Sequence, residues 1–210
     1  MKENKNLEDS LEETLETSDL QNLNIDLAEV TIDAIMNEGI LKDIPLVGSI
    51  VSLSKFGLEV SNHLFLKKVF KFLTQLEKTT IEERKKFLIK VSKEEDYNKK
   101  VGQALLLIID KLEDLEKPEI IGKLLVASIN GELKYQDFLR LSYIVQRLFV
   151  PDIELLKSMI EGKEVSYREK EELFLSGLLI TVDTGGARFD GRSEFAVGEL
   201  GKKFIEILKK

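Results

Sequence analysis

The stretch Leu41–Phe72, LKDIPLVGSIVSLSKFGLEVSNHLFLKKVFKF, holds the residues best suited to act on another molecule. Ile44–Ser54 carries no charge over eleven residues, and downstream Lys67, Lys68 and Lys71 interleave with Phe65, Phe70 and Phe72. Such a segment suits a membrane surface, where ammonium groups meet anionic headgroups and aromatic rings sink below them. Gly48 and Ser52 stand four apart, as do Gly57 and Ser61, a spacing that lets a second helix approach closely. Two readings follow. One is a bundle helix whose lysine stems run out of a core. The other is a segment sheathed at rest and released on a trigger, with Val47, Gly48, Val51, Phe56, Lys67, Lys68 and Lys71 meeting a membrane or a partner.

Other chemically capable residues have quieter explanations. Thr184–Gly191, TGGARFDG, lacks the Lys-Ser/Thr of a phosphate-binding P-loop, and a strand follows it where a helix would be needed. It reads as a hairpin tip whose glycines tolerate positive φ. Arg188 and Arg192 flank the tip, and with Lys202 and Lys203 they form a candidate phosphate-contacting set. His63 is the single histidine and there is no cysteine, so neither a histidine relay nor a thiolate metal site is expected. Glu82-Glu83, Glu94-Glu95-Asp96 and Glu171-Glu172 offer paired carboxylates. All sit where acids favour the first turn of a helix. No catalytic residue, metal ligand or cofactor is expected, and an enzyme is the weakest class.

These residues must be held by a chain of 210 residues, enough for one large domain or two small ones. Its net charge of −7 is concentrated at one end. Residues 1–29 hold nine acids and two lysines; subtracting them from 38 acids and 31 bases leaves 29 of each for the remainder. A neutral body has no general attraction for nucleic acid. The first residues are too acidic for a signal peptide, and no uncharged run approaches the ~20 residues of a spanning helix.

The periodicity predicts mostly helix. Leu7, Leu11 and Leu15, then Leu20, Leu23 and Leu27, give an amphipathic stripe on an acidic background. It reads either as a frayed terminal helix or tail, or as a peptide docked on a basic groove in cis or on a partner. Helices are expected over 26–37, from Pro45 to Leu76, and over 81–91 and 93–116. The last two follow capping boxes at Thr80–Glu83 and Ser92–Glu95. Leu105–Ile109 is apolar on every side and belongs at a bundle centre. Further helices are expected from Pro118 to Asn130-Gly131, over Gln136–Phe149, over Asp152–Ile160, and from a third box at Ser166–Glu169 to Gly177. Strands at Leu178–Val182 and Ser193–Val197 and a helix over Glu199–Leu208 finish the chain. Three helices, a hairpin and a helix are the order of a winged-helix unit. Its would-be recognition helix, YREKEELFLS, carries three acids against two bases, which argues against DNA.

The phrases IIGKLLVASINGELKYQDFLRLSYIVQRLFVPDIELLK, LFLSGLLITVDTG and FAVGELGKKFIEIL, within Pro118–Lys210, resemble the C-terminal half of bacterial abortive-infection alpha-type proteins and their phage-linked relatives. The resemblance covers about half the chain and brings no residue-level functional motif. It implies a role in phage defence or phage–host conflict.

The expectation is therefore a mainly α protein: an acidic arm over 1–25, a helical bundle over 26–132, and a winged-helix-like unit with one β-hairpin over 133–210. Its expected function is non-enzymatic interaction in the bacterial cytoplasm, peripheral to the inner face of the membrane when triggered. A protein partner is expected, with a homo-oligomer and a membrane surface as further options. The alternative is a winged-helix transcriptional regulator whose acidic arm covers its basic surface.

Overall fold

The computed structural model describes residues 6–21, 23, 43–54, 59–93, 100–182 and 193–210. The described residues form ten α-helices and one two-stranded antiparallel sheet near the C-terminal end. The chain divides into two compact units, Met1–Tyr135 and Gln136–Lys210.

In the first unit, α1 (Leu7–Thr17) starts where the Asn6 side chain accepts the Asp9 N–H at 2.8 Å. The predicted helix from Pro45 to Leu76 is described as two, α2 (Pro45–Ser54) and α3 (Glu59–Gln75), the latter closing in a 3₁₀ turn at Leu76–Lys78. Thr80 and Glu83 form the expected reciprocal capping box and open α4 (Ile81–Ser92). The box read at Ser92 is corrected. Ser92 is the last residue of α4, and its hydroxyl donates back to the Ile89 carbonyl at 2.9 Å.

The helix expected over 93–116 is corrected to α5 (Val101–Asp110) among the described residues. Past Lys111, the Asp114 carboxylate accepts the Glu116 N–H at 2.8 Å, a local bond that competes with helix continuation. The run Leu105–Ile109 is not buried all round: Leu105, Ile108 and Ile109 are buried, but Leu107 is exposed. α6 (Lys117–Ile129) has Pro118 in its first turn and ends at Gly131, whose φ of +77° suits glycine.

The core of this unit is the long contact between α3 and α6. Gly122 makes it close: a Cβ there would stand 2.6 Å from Gln75 Cβ and 2.9 Å from the Phe72 carbonyl oxygen. Leu66, Val69, Phe70, Phe72 and Leu73 of α3 are buried, as are Ile121, Leu124 and Leu125 of α6. Helix α1 packs on α2, α4 and α5.

The second unit holds α7 (Tyr135–Arg147, from its second residue), α8 (Asp152–Ile160), α9 (Tyr167–Ser176), β1 (Leu179–Val182), β2 (Glu194–Val197) and α10 (Glu199–Leu208). Ser166 and Glu169 form a capping box at the start of α9, and Gly177, at φ +92°, ends it. The strands pair Leu179 with Val197 through to Val182 with Glu194. β1 packs on α9 and α10 packs on α8, with Phe204, Ile205 and Ile207 buried.

Candidate interaction surfaces

The uncharged run is core in this conformation. Ile44, Leu46, Val47, Ile50 and Val51 are buried, and Gly48 is half-buried. Phe56 lies outside the described residues. Two of the three aromatic residues that alternate with lysines in sequence separate from them in space, while Phe65 is half-buried like the lysines. Phe70 and Phe72 point into the unit, while Lys67, Lys68 and Lys71 remain half-buried at its side. Lys68 Nζ donates to the Asp110 carbonyl at 3.0 Å, a cation at the C-terminal end of α5 where the helix dipole favours it. Lys71 Nζ stands 2.7 Å from Glu119 Oε1 on α6. Two of the three lysines thus bridge helices of their own bundle. His63 is half-buried on α3.

The acidic stretch supplies the more specific geometry. Leu11 and Leu15 of α1 are buried, together with Ser10 and Thr14. The acids on its flank meet the N-terminal end of α5. Glu12 accepts the Gly102 N–H at 3.0 Å, Gln103 Nε2 donates to Glu8 at 3.2 Å, and Lys100 Nζ stands 2.9 Å from Asp9. Asp9 accordingly holds the Lys100 ammonium above its ordinary pKa, through the hydrogen bond first and the charge second. A helix N-terminus presents N–H groups without intrahelical acceptors, so carboxylates from α1 are suitable partners. Gly102 permits the approach: a Cβ there would lie 2.4 Å from the Glu8 carbonyl oxygen.

At its other end α1 meets Arg84, a residue that the sequence reading passed over. Arg84 is 1% exposed. Its Nε donates to the Leu15 carbonyl at 2.8 Å, Nη1 donates to the Thr79 carbonyl and hydroxyl, and Nη2 donates to the Ser18 carbonyl. Burial pushes the guanidinium pKa down, and the charges of Asp19, Glu82 and Glu83 oppose that shift. The available signal was its position, on the same helical face as Phe87 and Val91, where an arginine interrupts an apolar stripe.

Between these ends, α1 and α2 share a polar seam. Thr14 Oγ1 accepts the Leu46 N–H at 3.0 Å, and the Ser10 and Ser49 hydroxyls are 2.7 Å apart.

The second unit presents a different surface. Phe195 on β2 stacks at 5.0 Å from Phe174 and 5.7 Å from Tyr167, which seats the hairpin on α9. Ile180 and Val182 alternate with Leu179 and Thr181 along β1 and so occupy the other sheet face. They are 54% and 39% exposed. Among the described residues the sheet has two strands, so each strand keeps an outer edge. Leu175 on α9 is 77% exposed.

The candidate phosphate contacts are not brought together among the described residues. Arg188 and Arg192 lie outside them. Lys202 pairs with Glu199 at 2.8 Å and Lys203 with Glu206 at 3.1 Å along α10. Arg168 on α9 stands 3.3 Å from Glu172. Among the described residues, no three or more His, Asp or Glu side chains are grouped to hold a metal ion, and no helix is long and apolar enough to cross a membrane. No family model, curated protein or solved structure matches the chain.

Proposed function

We propose that the chain is a non-enzymatic interaction protein of the bacterial cytoplasm whose C-terminal unit docks a protein partner on the hairpin. The phage–host setting implied by the resemblance belongs to the same proposal. The observation that carries the docking surface is the outward pair Ile180 and Val182, apolar and exposed on one face of a sheet that has two strands among the described residues. Exposed strand edges offer backbone N–H and C=O groups to an incoming chain, and an apolar face adds area to bury. The winged-helix order of this unit then serves protein contact, since the exposed residues of α9 include Glu171, Glu172 and Leu175 beside Arg168.

The DNA-binding alternative rests on Lys202 and Lys203, each of which already pairs with a glutamate of its own helix. A membrane role for Val47 and Val51 requires their exposure first, because both are buried.

The test is a pull-down from infected and uninfected bacterial cells, using wild type and the double variant I180E/V182E. Both substituted sites are exposed, so the melting temperature should hold. Loss of a specific partner in the variant supports the reading. A partner retained equally by both proteins, or salt-sensitive binding of duplex DNA by both, refutes it.

A further inference from the structure

We infer that the seat of α1 is a receptor groove for acidic amphipathic helices, and that α1 is its resident ligand in cis. The groove is formed by α2, α4 and α5, all within the first unit. It reads three properties of the helix that lies in it. The first is an apolar pair one turn apart, Leu11 and Leu15, both buried. The second is a flank of carboxylates, read one by one: Glu8 by Gln103, Asp9 by Lys100 and Glu12 by the Gly102 N–H. The third is the C-terminal end of a helix, read by Arg84 through the carbonyls of Leu15 and Ser18. Apolar burial, charge and helix polarity together fix the occupant's chemistry and its direction.

One of these contacts, the Lys100–Asp9 pair, belongs to groups that water can also solvate. The Lys100 and Asp9 side chains are 63% and 41% exposed. Pairs of that kind hold weakly and exchange readily. α1 and its seat belong to one chain, and that covalent link gives the cis helix a high effective concentration. The fitting partner is therefore a protein bearing an acidic helix of the pattern acid-acid-x-Leu-acid-x-x-Leu, able to displace α1. Displacement would free α1 and Asp19 from Arg84 and let the partner's carboxylates take their places at α5.

The probe is a synthetic peptide of residues 4–21, NKNLEDSLEETLETSDLQ. The receptor is the full chain with L11A/L15A, which weakens the resident helix and leaves every groove residue in place. A ligand that binds only the folded protein raises its melting temperature with concentration. The peptide should raise it by several degrees and saturate. A peptide with E8K, D9K and E12K should give no shift. Should the double variant be unfolded alone, the readout is peptide-induced helical circular dichroism, with the same peptide discrimination expected.

A second variant closes the groove. The chain has no cysteine, and the Ser10 and Ser49 hydroxyls are 2.7 Å apart, so S10C/S49C can be oxidised to lock α1 down. The oxidised protein should ignore the peptide at concentrations that shift L11A/L15A. No shift or induced helix in L11A/L15A, or an equal response to the charge-reversed peptide, overturns the inference. A concentration-dependent wild-type dimer without any peptide response also overturns it, and assigns the groove to α1 of a second copy.

Discussion

Arg84 Nε donates to the carbonyl oxygen of Leu15 at 2.8 Å, joining positions 69 residues apart. The last carbonyls of any helix lack intrahelical donors, and near the end of α1 they are turned toward a buried interior. An arginine satisfies them because its planar fork presents N–H groups on three nitrogens at once. The guanidinium is thereby held by carbonyl and hydroxyl oxygens, with Asp19, Glu82 and Glu83 supplying compensating charge.

Substitution R84M tests that arrangement. Methionine fills much of the volume but donates nothing, so the Leu15, Ser18 and Thr79 carbonyls lose their guanidinium donors. Leaving buried polar groups without partners costs ~1–3 kcal/mol each, and the total should be ~3 kcal/mol or more. The urea midpoint should fall accordingly. Amide exchange should rise first in α1, before the helices at the α3–α6 contact. R84K should recover only part of the loss, because one ammonium cannot reach all of those oxygens in fork geometry.

Two glycines separate steric from conformational cost. At Gly102 an added Cβ meets the Glu8 carbonyl oxygen at 2.4 Å and Glu12 Cγ at 2.7 Å, so G102A must push α1 outward. Overpacking of this kind costs ~1–3 kcal/mol. At Gly131 nothing lies within 4 Å, but φ is +77°. G131A should cost ~1–2 kcal/mol through left-handed strain alone. Both variants melt earlier. Only G102A should weaken the protection of the Ser10–Leu15 amides.

The boxes at Thr80 and Ser166 were readable because each is a closed local circuit of four residues. The same phrase at Ser92 misled because the apolar positions Phe87 and Val91 carry α4 through that serine before any cap can act. Arg84 was unreadable in its role, since its oxygens at Leu15 and Ser18 lie 69 and 66 residues away. The stripe Leu7, Leu11, Leu15 announced a helix, and left open whether that helix was a frayed end or a peptide docked on a basic groove. That its acids meet the start of α5, and that the uncharged α2 packs on α1 as core, required the tertiary fold. On the hairpin, the β-prone run Leu178–Val182 beside a glycine-rich turn foretold the strands, but nothing local distinguished the face seated on α9 from the face left exposed.

The caps also give a pH dependence with a definite sign. The Thr80 backbone N–H and then its hydroxyl hold the Glu83 carboxyl below its ordinary pKa. The Ser166 hydroxyl and then its backbone N–H do the same for Glu169. A carboxyl that is more acidic in the folded state adds stability that is complete above its unfolded pKa. That stability is lost as pH falls through the lower folded value. The acid limb of stability against pH should therefore flatten in E83Q and E169Q, each in its own unit. T80A should lower stability by ~1 kcal/mol at neutral pH through the lost N-cap.

Thr14 offers the finest discrimination between packing and hydrogen bonding. Its hydroxyl donates to the Ser10 carbonyl at 2.8 Å and accepts the Leu46 N–H at 3.0 Å. Pro45 has no N–H, so Leu46 carries the first donor of α2, and α1 satisfies it from outside the helix. T14V keeps the shape and removes the oxygen, leaving that buried N–H without this acceptor, at a cost of ~1–3 kcal/mol. T14S keeps the oxygen and removes one methyl group, a loss nearer ~1 kcal/mol. If the hydroxyl matters more than the methyl, T14S melts above T14V. The reverse order would mean that α1 is held on α2 by apolar contact, and that the polar seam contributes little to its seating.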